Sequence, residues 1–286
     1  MNTHTRLATR FAGTTRSLRS ETVLDEQQMR AVAPSIFAEC KHVSRSERYT
    51  YIPTIDVLRG LRCEGFEPFM VAQGRCRAPG KEDFTKHLIR LRHARDGDGA
   101  ARARPEAHEI ILINSHDGAS SYQMLAGVLR FVCLNSLVVG DIAHDIRIPH
   151  KGNIQGEVIE GAFRVLEDFE TIDASTEGMK SVTLQSAEEQ AFARAALALR
   201  YAQHPAGVPV PITAEQLVEP RRMEDRGASL WDSFQRVQEN LLRGGLRGRT
   251  VQGRRMRTRE VGSIDRGVSL NRALWTLAEE MRKLKA

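Results

Sequence analysis

The stretch HEIILINSHDGASSYQMLAGVLR, residues 108–130, decides the fold of this chain, because two apolar runs flank an Asp-Gly pair within it. Runs such as ILIN and SYQML are typical of β-strands. Asp117 and Gly118 favour a tight turn, since glycine reaches the positive φ that such a turn needs. The sequence therefore predicts an antiparallel hairpin, with one strand over 108–115 and the next beginning near residue 121.

The residues before this hairpin extend the sheet, and those after it change to a helical pattern. Strands are predicted over 68–77 and 84–93, and Thr54 is predicted to cap a helix that begins there. The apolar run 125–140 fits either a strand or a helix. Beyond residue 150, apolar residues recur at helical spacing. We expect an α+β protein, with an N-terminal antiparallel sheet and flanking helices, followed by a mostly helical C-terminal half.

These patterns predict three regions along the chain. The first is basic and is expected to be a flexible arm, the second is a β-rich α+β core, and the third is helical and contains an arginine-rich segment. Within the third region, Ser229 and Gly244 are predicted to begin and end one helix. The regions are 1–23, 24–150 and 151–286, and the arginine-rich segment is 243–259.

Length and composition exclude several classes of protein. The 286 residues are 41% hydrophobic and 27% charged, which is enough apolar material for a packed core and argues against a disordered chain. No apolar run reaches the roughly 18 residues of a membrane span, and the N-terminus lacks the apolar core of a signal peptide. The four cysteines form no CxxC pair, so neither a disulfide framework nor a zinc site is indicated. We expect a cytoplasmic protein without a metal or cofactor.

The positive charge is concentrated in one segment. The chain carries a net charge of +6, and the stretch 240–259 contains seven arginines and no acidic residue, so the remaining 266 residues carry a net charge of −1. Arginine presents a planar fork that suits phosphate, which favours a nucleic-acid partner over a merely solvated loop. The predicted phosphate-binding residues of this segment are Arg247, Arg249, Arg254, Arg255, Arg257 and Arg259.

A second group of cations is predicted on the sheet. Side chains alternate between the faces of a strand, so basic residues of the strands 68–77 and 84–93 share one solvent-exposed face if the register matches. Such a face can follow the backbone of a nucleic-acid single strand, although an ordinary solvated face is also polar. The predicted residues are Arg75, Arg77, Lys86, Arg90 and Arg92. Nearby aromatic residues, which could stack on bases or belong to the core, are Tyr49, Tyr51, Phe66 and Phe69.

Two groups of histidine and aspartate suggest an enzyme instead. His116 and Asp117 lie in the predicted hairpin turn, and Asp141 and His144 follow the apolar run. Such side chains could hold a divalent ion for phosphodiester cleavage, but their spacing matches no metal motif and the turn already explains Asp117. The motifs GxxxxGK[ST], GxGxxG and GxSxG are absent. A metal-dependent nuclease is therefore the second hypothesis.

Three segments in combination resemble a known family. They are SRSERYTYIPTIDVLRGLRCEGFEPFMV at 44–71, FTKHLIRLRH at 84–93, and ILINSHDGASSYQMLAGVLRFVCLNSLVVGD at 111–141. The chain resembles, over about residues 24–286, the bacterial proteins grouped as the domain of unknown function 932. Members often have Asn-Gly after the cysteine, where this chain has Asn135 and Ser136, so the turn there is expected to differ. The resemblance implies a plasmid- or phage-borne protein of the bacterial cytoplasm and no established activity.

The order of elements is similar to that of another group, the single-strand annealing proteins of recombination. Those proteins hold single-stranded DNA in a basic groove and form rings or filaments, so the similarity implies a homo-oligomer by analogy. The first hypothesis is a non-enzymatic protein that binds single-stranded DNA in plasmid or phage recombination. The second is the nuclease, and the third is an interaction protein whose basic segment meets an acidic host protein.

Overall fold

The computed structural model describes residues 15–44, 50–76, 79–94, 106–131, 135–140, 145–205 and 207–285. The predicted α+β class is confirmed, since an antiparallel sheet occupies the N-terminal part and helices occupy most of the C-terminal part. Within these ranges, no helix combines the length and the apolar character that crossing a lipid bilayer requires.

The N-terminal part is built on a curled antiparallel sheet, which has seven strands among the described residues. The strands are β1 (Thr15–Arg19), β2 (Phe66–Gly74), β3 (His87–His93), β4 (Glu106–Asn114), β5 (Tyr122–Arg130), β6 (Asn135–Val138) and β7 (Ile146–Ile148). They are ordered β1-β2-β3-β4-β5-β6, and β7 also pairs with β5. The predicted flexible arm is wrong for residues 15–19, which pair with β2, and residues 1–14 lie outside the described ranges.

The hairpin predicted from residues 108–130 is confirmed, because β4 and β5 pair antiparallel. Their connection is a seven-residue loop rather than a two-residue turn. Gly118 has a φ of 79°, and the carboxylate of Asp117 accepts a hydrogen bond from the N–H of Ala119 at 2.9 Å. The ambiguous apolar run 125–140 contains the end of β5 and all of β6, and none of its described residues is helical.

Helices pack against the sheet. They include α1 (Glu26–Val32), α2 (Thr54–Cys63) and α3 (Ile154–Glu167). Helix α2 contacts β2, and α3 contacts β5 and β7. Gly161 allows α3 to approach closely, since a Cβ atom there would lie 3.1 Å from Sδ of Met124. The predicted cap is displaced by one residue: Pro53 precedes α2, and Thr54 is the first helical residue, with its hydroxyl directed to other partners.

The C-terminal part is mostly helical, as predicted. Its elements are α4 (Phe169–Ser181), α5 (Ser186–Arg200), α6 (Glu215–Val218), α7 (Leu230–Arg243), β8 (Arg247–Arg249), β9 (Arg255–Arg257) and α8 (Ile264–Lys285). The predicted ends of α7 are confirmed. The Ser229 hydroxyl accepts a hydrogen bond from the N–H of Asp232, and Gly244 ends the helix with a φ of 62°.

The described residues divide into two compact units. The first contains the sheet, apart from the last residue of β6, and α1 to α3, within residues 15–137, 145–169 and 262–264. The second contains the later helices and the β8–β9 hairpin, within residues 138–140, 170–261 and 265–285. The boundary predicted near residue 150 therefore shifts towards residue 169, because α3 packs on the strands of the first unit.

Candidate nucleic-acid interface

The predicted cationic face of the sheet does not face solvent. Arg90 of β3 is only 5% exposed, and its Nη1 lies 3.0 Å from Oε2 of Glu109 on β4. Arg92 contacts Oε1 of the same carboxylate at 3.1 Å, and Arg19 of β1 contacts it at 2.9 Å. The prediction that Arg90 and Arg92 are solvent-facing cations is wrong, because a neighbouring strand supplies a carboxylate to their face of the sheet.

Glu109 is a fully buried carboxylate and is the shared ion-pair partner of these three arginines. Burial raises the pKa of its carboxyl, but Arg19, Arg90 and Arg92 lower it by more, to about 2. Burial lowers the pKa of Arg90 to about 10, against the opposing effect of Glu109. Gly127 on β5 leaves room for the guanidinium, since a Cβ atom there would lie 3.0 Å from Arg90 Nη1. These arginines therefore belong to the internal structure of the sheet.

The other predicted cations of the sheet do not complete a surface. Arg75 follows the end of β2 and is exposed. Arg77 lies outside the described residues. Lys86 precedes β3, is half-buried and has interactions of its own. Among the predicted sheet cations that the structure describes, Arg75 alone is exposed, so these residues form no continuous surface that could follow a phosphate backbone.

The aromatic residues beside the sheet that the structure describes are engaged in packing or hydrogen bonding. Phe66 is fully buried, which confirms the core interpretation at that position. The guanidinium of Arg92 lies over the ring of Phe69, 4.2 Å from its centroid. The hydroxyl of Tyr51 donates a hydrogen bond to a backbone carbonyl, and Tyr49 lies outside the described residues. Base stacking at Phe69 or Tyr51 would compete with these contacts.

The arginine-rich segment contains a β-hairpin, which the sequence did not predict. We call residues 246–259 the arginine hairpin. Strands β8 and β9 pair antiparallel, and their arginines lie directly opposite one another, Arg247 with Arg257 and Arg249 with Arg255. All four side chains are exposed, whereas Gly248 and Met256 between them are half-buried. Arg254 and Arg259, on either side of β9, are exposed as well.

The arginine hairpin is attached to the preceding segment through β8. The N–H of Arg249 donates to the carbonyl of Pro211 at 3.1 Å, and the side-chain amide of Gln216 donates to the carbonyl of Arg247 at 2.9 Å. A Cβ atom at Gly248 would collide with the Pro211 carbonyl, so glycine permits this close approach. Because β8 is hydrogen-bonded along both of its edges, the outward side chains keep a fixed register.

The backbone hydrogen bonds show that both arginine pairs occupy non-hydrogen-bonded positions of the antiparallel ladder, where opposite Cα atoms are closer together. The N–H of Thr258 donates to the carbonyl of Leu246, and the N–H of Thr250 donates to the carbonyl of Arg254, each at 2.9 Å. Hydrogen-bonded and non-hydrogen-bonded positions alternate along an antiparallel pair, so the arginine pairs, one residue further in, are non-hydrogen-bonded. Opposite Cα atoms at such positions are about 4.5 Å apart. The hairpin therefore holds like charges side by side.

The arginine hairpin has no carboxylate partner among the described residues. Arg243, just before it, pairs with Glu239 at 2.6 Å. For the six arginines between 247 and 259, the described part of the chain provides no ion pair within 4.0 Å. Like charges placed directly opposite one another destabilise a strand pair. This surface is therefore suited to an anionic ligand.

The residues of the nuclease hypothesis are not assembled into a metal site in the described structure. His116 is fully buried, and Asp117 is engaged in the β4–β5 loop. Asp141 and His144 lie outside the described residues. Across the ranges that the structure describes, no three histidine, cysteine, aspartate or glutamate side chains are grouped so as to hold a metal ion.

A buried polar network around Thr54 is not evident from the sequence. Oγ1 of Thr54 lies 2.9 Å from Nε2 of His87 and 3.1 Å from Nε2 of His116. It also accepts a hydrogen bond from Nδ2 of Asn114 at 3.0 Å, and Nδ1 of His87 lies 2.9 Å from Oγ of Ser35. These partners are distant in the chain, and only His116 belongs to a motif that the sequence singles out. The position of His116 next to the Asp117–Gly118 pair is the only feature of the sequence that pointed to this network.

The hydrogen-bond directions in this network follow from Gln73. Its Oε1 accepts from the Ser35 hydroxyl at 2.8 Å, so Ser35 Oγ accepts from Nδ1–H of His87. The neutral His87 ring then accepts at Nε2 from the Thr54 hydroxyl, and Thr54 accepts from Nε2–H of His116. Burial lowers the pKa of His87 well below its usual range, and burial together with His150 lowers that of His116 to about 4. The network therefore joins α2 to the sheet through neutral imidazoles.

Comparison with known proteins places this chain among relatives of nearly the same length. The family model "Domain of unknown function (DUF932)" matches residues 41–275. Two proteins of Escherichia coli (strain K12), UPF0380 protein YafZ and UPF0380 protein YfjQ, are each 47% identical to this chain over 277 residues, which is 97% of this chain and 98% of the relative. No solved structure matches the chain. The match extends over most of the sequence, and the chain therefore belongs to the family of the domain of unknown function DUF932.

Proposed function

We propose that this protein is a non-enzymatic nucleic-acid-binding protein whose phosphate-contacting surface is the arginine hairpin. One observation carries the proposal. Two directly opposed arginine pairs are exposed on a hairpin whose backbone is held by hydrogen bonds, and these arginines have no carboxylate partner in the described structure. A guanidinium stays charged at all physiological pH values and can donate two parallel hydrogen bonds to a phosphate. A polyanion would relieve the repulsion within the pairs.

The number of arginines favours a polymer of phosphates over a small anion. Six arginines lie between residues 247 and 259, and each is exposed. A nucleic acid can contact several of them at once and release the counterions condensed on its phosphates, which supplies much of the binding free energy. A small anion would engage only one or two of the six side chains.

Single-stranded DNA is the proposed ligand. Each strand of the hairpin has three residues, so the cationic face extends only about 7 Å along the strands. A flexible single strand can adjust its backbone to place consecutive phosphates on so small a face, whereas duplex DNA is stiff over about 150 base pairs. The similarity to annealing proteins supports this ligand by analogy, together with a homo-oligomer acting in plasmid or phage recombination in the bacterial cytoplasm.

Salt titrations of DNA affinity test the proposal. We expect the protein to bind a fluorescent oligo(dT) more tightly than a duplex of equal length at one salt concentration. Replacing Arg247, Arg249, Arg255 and Arg257 with Gln should reduce the magnitude of the slope of log affinity against log salt by at least about 1.4. The four arginines are expected to contact at least two phosphates, and each single-strand phosphate contact contributes about 0.7. Fluorescence anisotropy at several KCl concentrations gives the slope.

A control variant of equal charge separates the surface from the net charge. Arg16, Arg59, Arg147 and Arg164 are exposed and belong to the other compact unit, so their replacement with Gln should leave the slope close to that of the wild type. An equal loss in both variants would contradict the proposed surface. Cleavage of the probe with Mg²⁺ would favour the nuclease. Failure to bind either DNA would favour the interaction protein that acts on a host protein.

A further inference from the structure

The arginines of the hairpin strands form two pairs rather than an even patch. Within a pair, the two Cα atoms are about 4.5 Å apart, because both pairs occupy non-hydrogen-bonded positions. Between pairs, Arg247 and Arg249 are two residues apart on one strand, which corresponds to about 7 Å. The side chains of opposed arginines leave the same face of the hairpin, since each pair lies at one level of the ladder. Among the four paired arginines, each therefore has its nearest cationic neighbour across the hairpin.

A phosphodiester matches the chemistry of one such pair. Its negative charge is shared by two non-bridging oxygens, and each oxygen can accept hydrogen bonds from one guanidinium. Two guanidinium groups without a carboxylate repel each other, and an anion between them converts that repulsion into two attractions. A pair is thus a better phosphate ligand than two arginines far apart.

The hairpin also orients one member of the Arg249–Arg255 pair, which is the pair nearer to the turn. Nη1 of Arg249 donates a hydrogen bond to the carbonyl of Gly253 at 3.2 Å, and Gly253 forms the turn with a φ of 76°. A guanidinium has five N–H donors, so this bond leaves the others available to a ligand. A side chain that is already oriented loses less conformational freedom when it binds.

We propose that each directly opposed arginine pair is one phosphate-binding site, so that the arginine hairpin holds two neighbouring phosphates of one nucleic-acid strand. The inference rests on the proposed function and specifies its ligand: two consecutive phosphodiesters about 7 Å apart, a separation that the extended backbone of a single strand can span. Arg254 and Arg259 lie outside the pairs and add a less specific attraction.

Two double variants of equal charge test the pairing. Arg247→Gln with Arg257→Gln removes one whole pair, whereas Arg247→Gln with Arg255→Gln leaves one arginine in each pair. With an oligo(dT) probe, we expect the same-pair variant to lose about 0.7 from the salt slope, the contribution of one single-strand phosphate contact. The cross-pair variant should retain the slope of the wild type, because both phosphates keep a cation.

Thermal unfolding without DNA supplies a second measurement. The cross-pair variant removes both repulsive pairs, and the same-pair variant removes one, so the cross-pair variant should melt at the higher temperature. The exposed side chains should be replaceable without loss of the fold, and circular dichroism checks this.

The two possible failures are distinguishable. Equal salt slopes for the two double variants, with the wild type binding oligo(dT), would overturn the paired sites and leave the proposed function standing. A wild-type protein that binds neither oligo(dT) nor duplex would overturn the proposed function and the inference that rests on it. A lower melting temperature for the cross-pair variant would overturn the repulsion on which the pairing depends.

Discussion

The arginines of the sheet differ from those of the arginine hairpin in having a carboxylate partner, Glu109. Arg90 and Arg92 do share one face of β3, as the alternation of side chains predicts. Glu109 of the adjacent strand forms an ion pair with both, at 3.0 Å and 3.1 Å. Arg247 and Arg257 face one another across a hairpin, and the described part of the chain provides neither of them with an ion pair within 4.0 Å. The same residue type therefore stabilises the fold in one place and remains available to a ligand in the other.

Replacing Glu109 should destabilise the protein strongly. Glu109→Gln leaves the guanidinium groups of Arg19, Arg90 and Arg92 without their carboxylate, and loss of one member of a buried ion cluster costs about 3–5 kcal/mol. Urea unfolding measures the change. As a control, Glu160→Gln breaks an exposed pair with Arg164 and should cost less than about 1 kcal/mol. Similar losses in the two variants would contradict the structural role of Glu109.

At the scale of the element, two glycines are expected to respond in opposite ways to the same substitution. Gly118 in the β4–β5 loop has a φ of 79°, so Gly118→Ala should cost about 1–2 kcal/mol, the penalty of an L-residue in the left-handed region. Gly267 lies inside α8 with open space where a Cβ would be, so Gly267→Ala should stabilise the protein by about 0.5–1 kcal/mol. Urea unfolding of both variants gives the signs, and a neutral Gly118→Ala would mean that the loop relaxes.

At the scale of the whole molecule, the folding stability depends on pH, because several histidines are buried and neutral. Burial lowers the pKa of His87 and, with the nearby His150, that of His116; burial also lowers the pKa of His150. In the unfolded chain these groups titrate near their ordinary pKa of 6.5. Below that pH the unfolded state binds more protons, so stability is fully present above 6.5 and is lost as the pH falls towards about 4. Glu109 adds stability that is lost between 4.5 and about 2.

The free energy of unfolding in urea, measured from about pH 7.5 down to pH 4.5, should therefore fall with acidification. The expected slope is up to about 1.4 kcal/mol per pH unit for each histidine that is protonated only in the unfolded state. His116→Gln keeps an N–H donor for Thr54 and should reduce the slope in this range. An unfolding free energy that does not change between about pH 7 and pH 5 would show that the buried histidines do not control stability.

The local patterns of the sequence determined the elements of this protein. Alternation and the Asp117–Gly118 pair predicted the β4–β5 hairpin, and Ser229 with Gly244 predicted the ends of α7. The run of arginines identified the most basic segment. These features could be predicted because strand alternation, turn geometry and helix capping depend on residues only a few positions apart.

Only the tertiary structure decided which charged and polar groups form ion pairs or hydrogen bonds within the protein and which are exposed to solvent. Arg90 meets a carboxylate 19 residues away, and His116 meets a threonine 62 residues away. Whether Arg247 and Arg257 lie directly opposite each other depended on the register of a hairpin that the sequence did not predict. The physical reason is that burial, strand pairing and ion pairing are set by which distant strands become neighbours, and a shift of one residue in register moves every side chain to the other face.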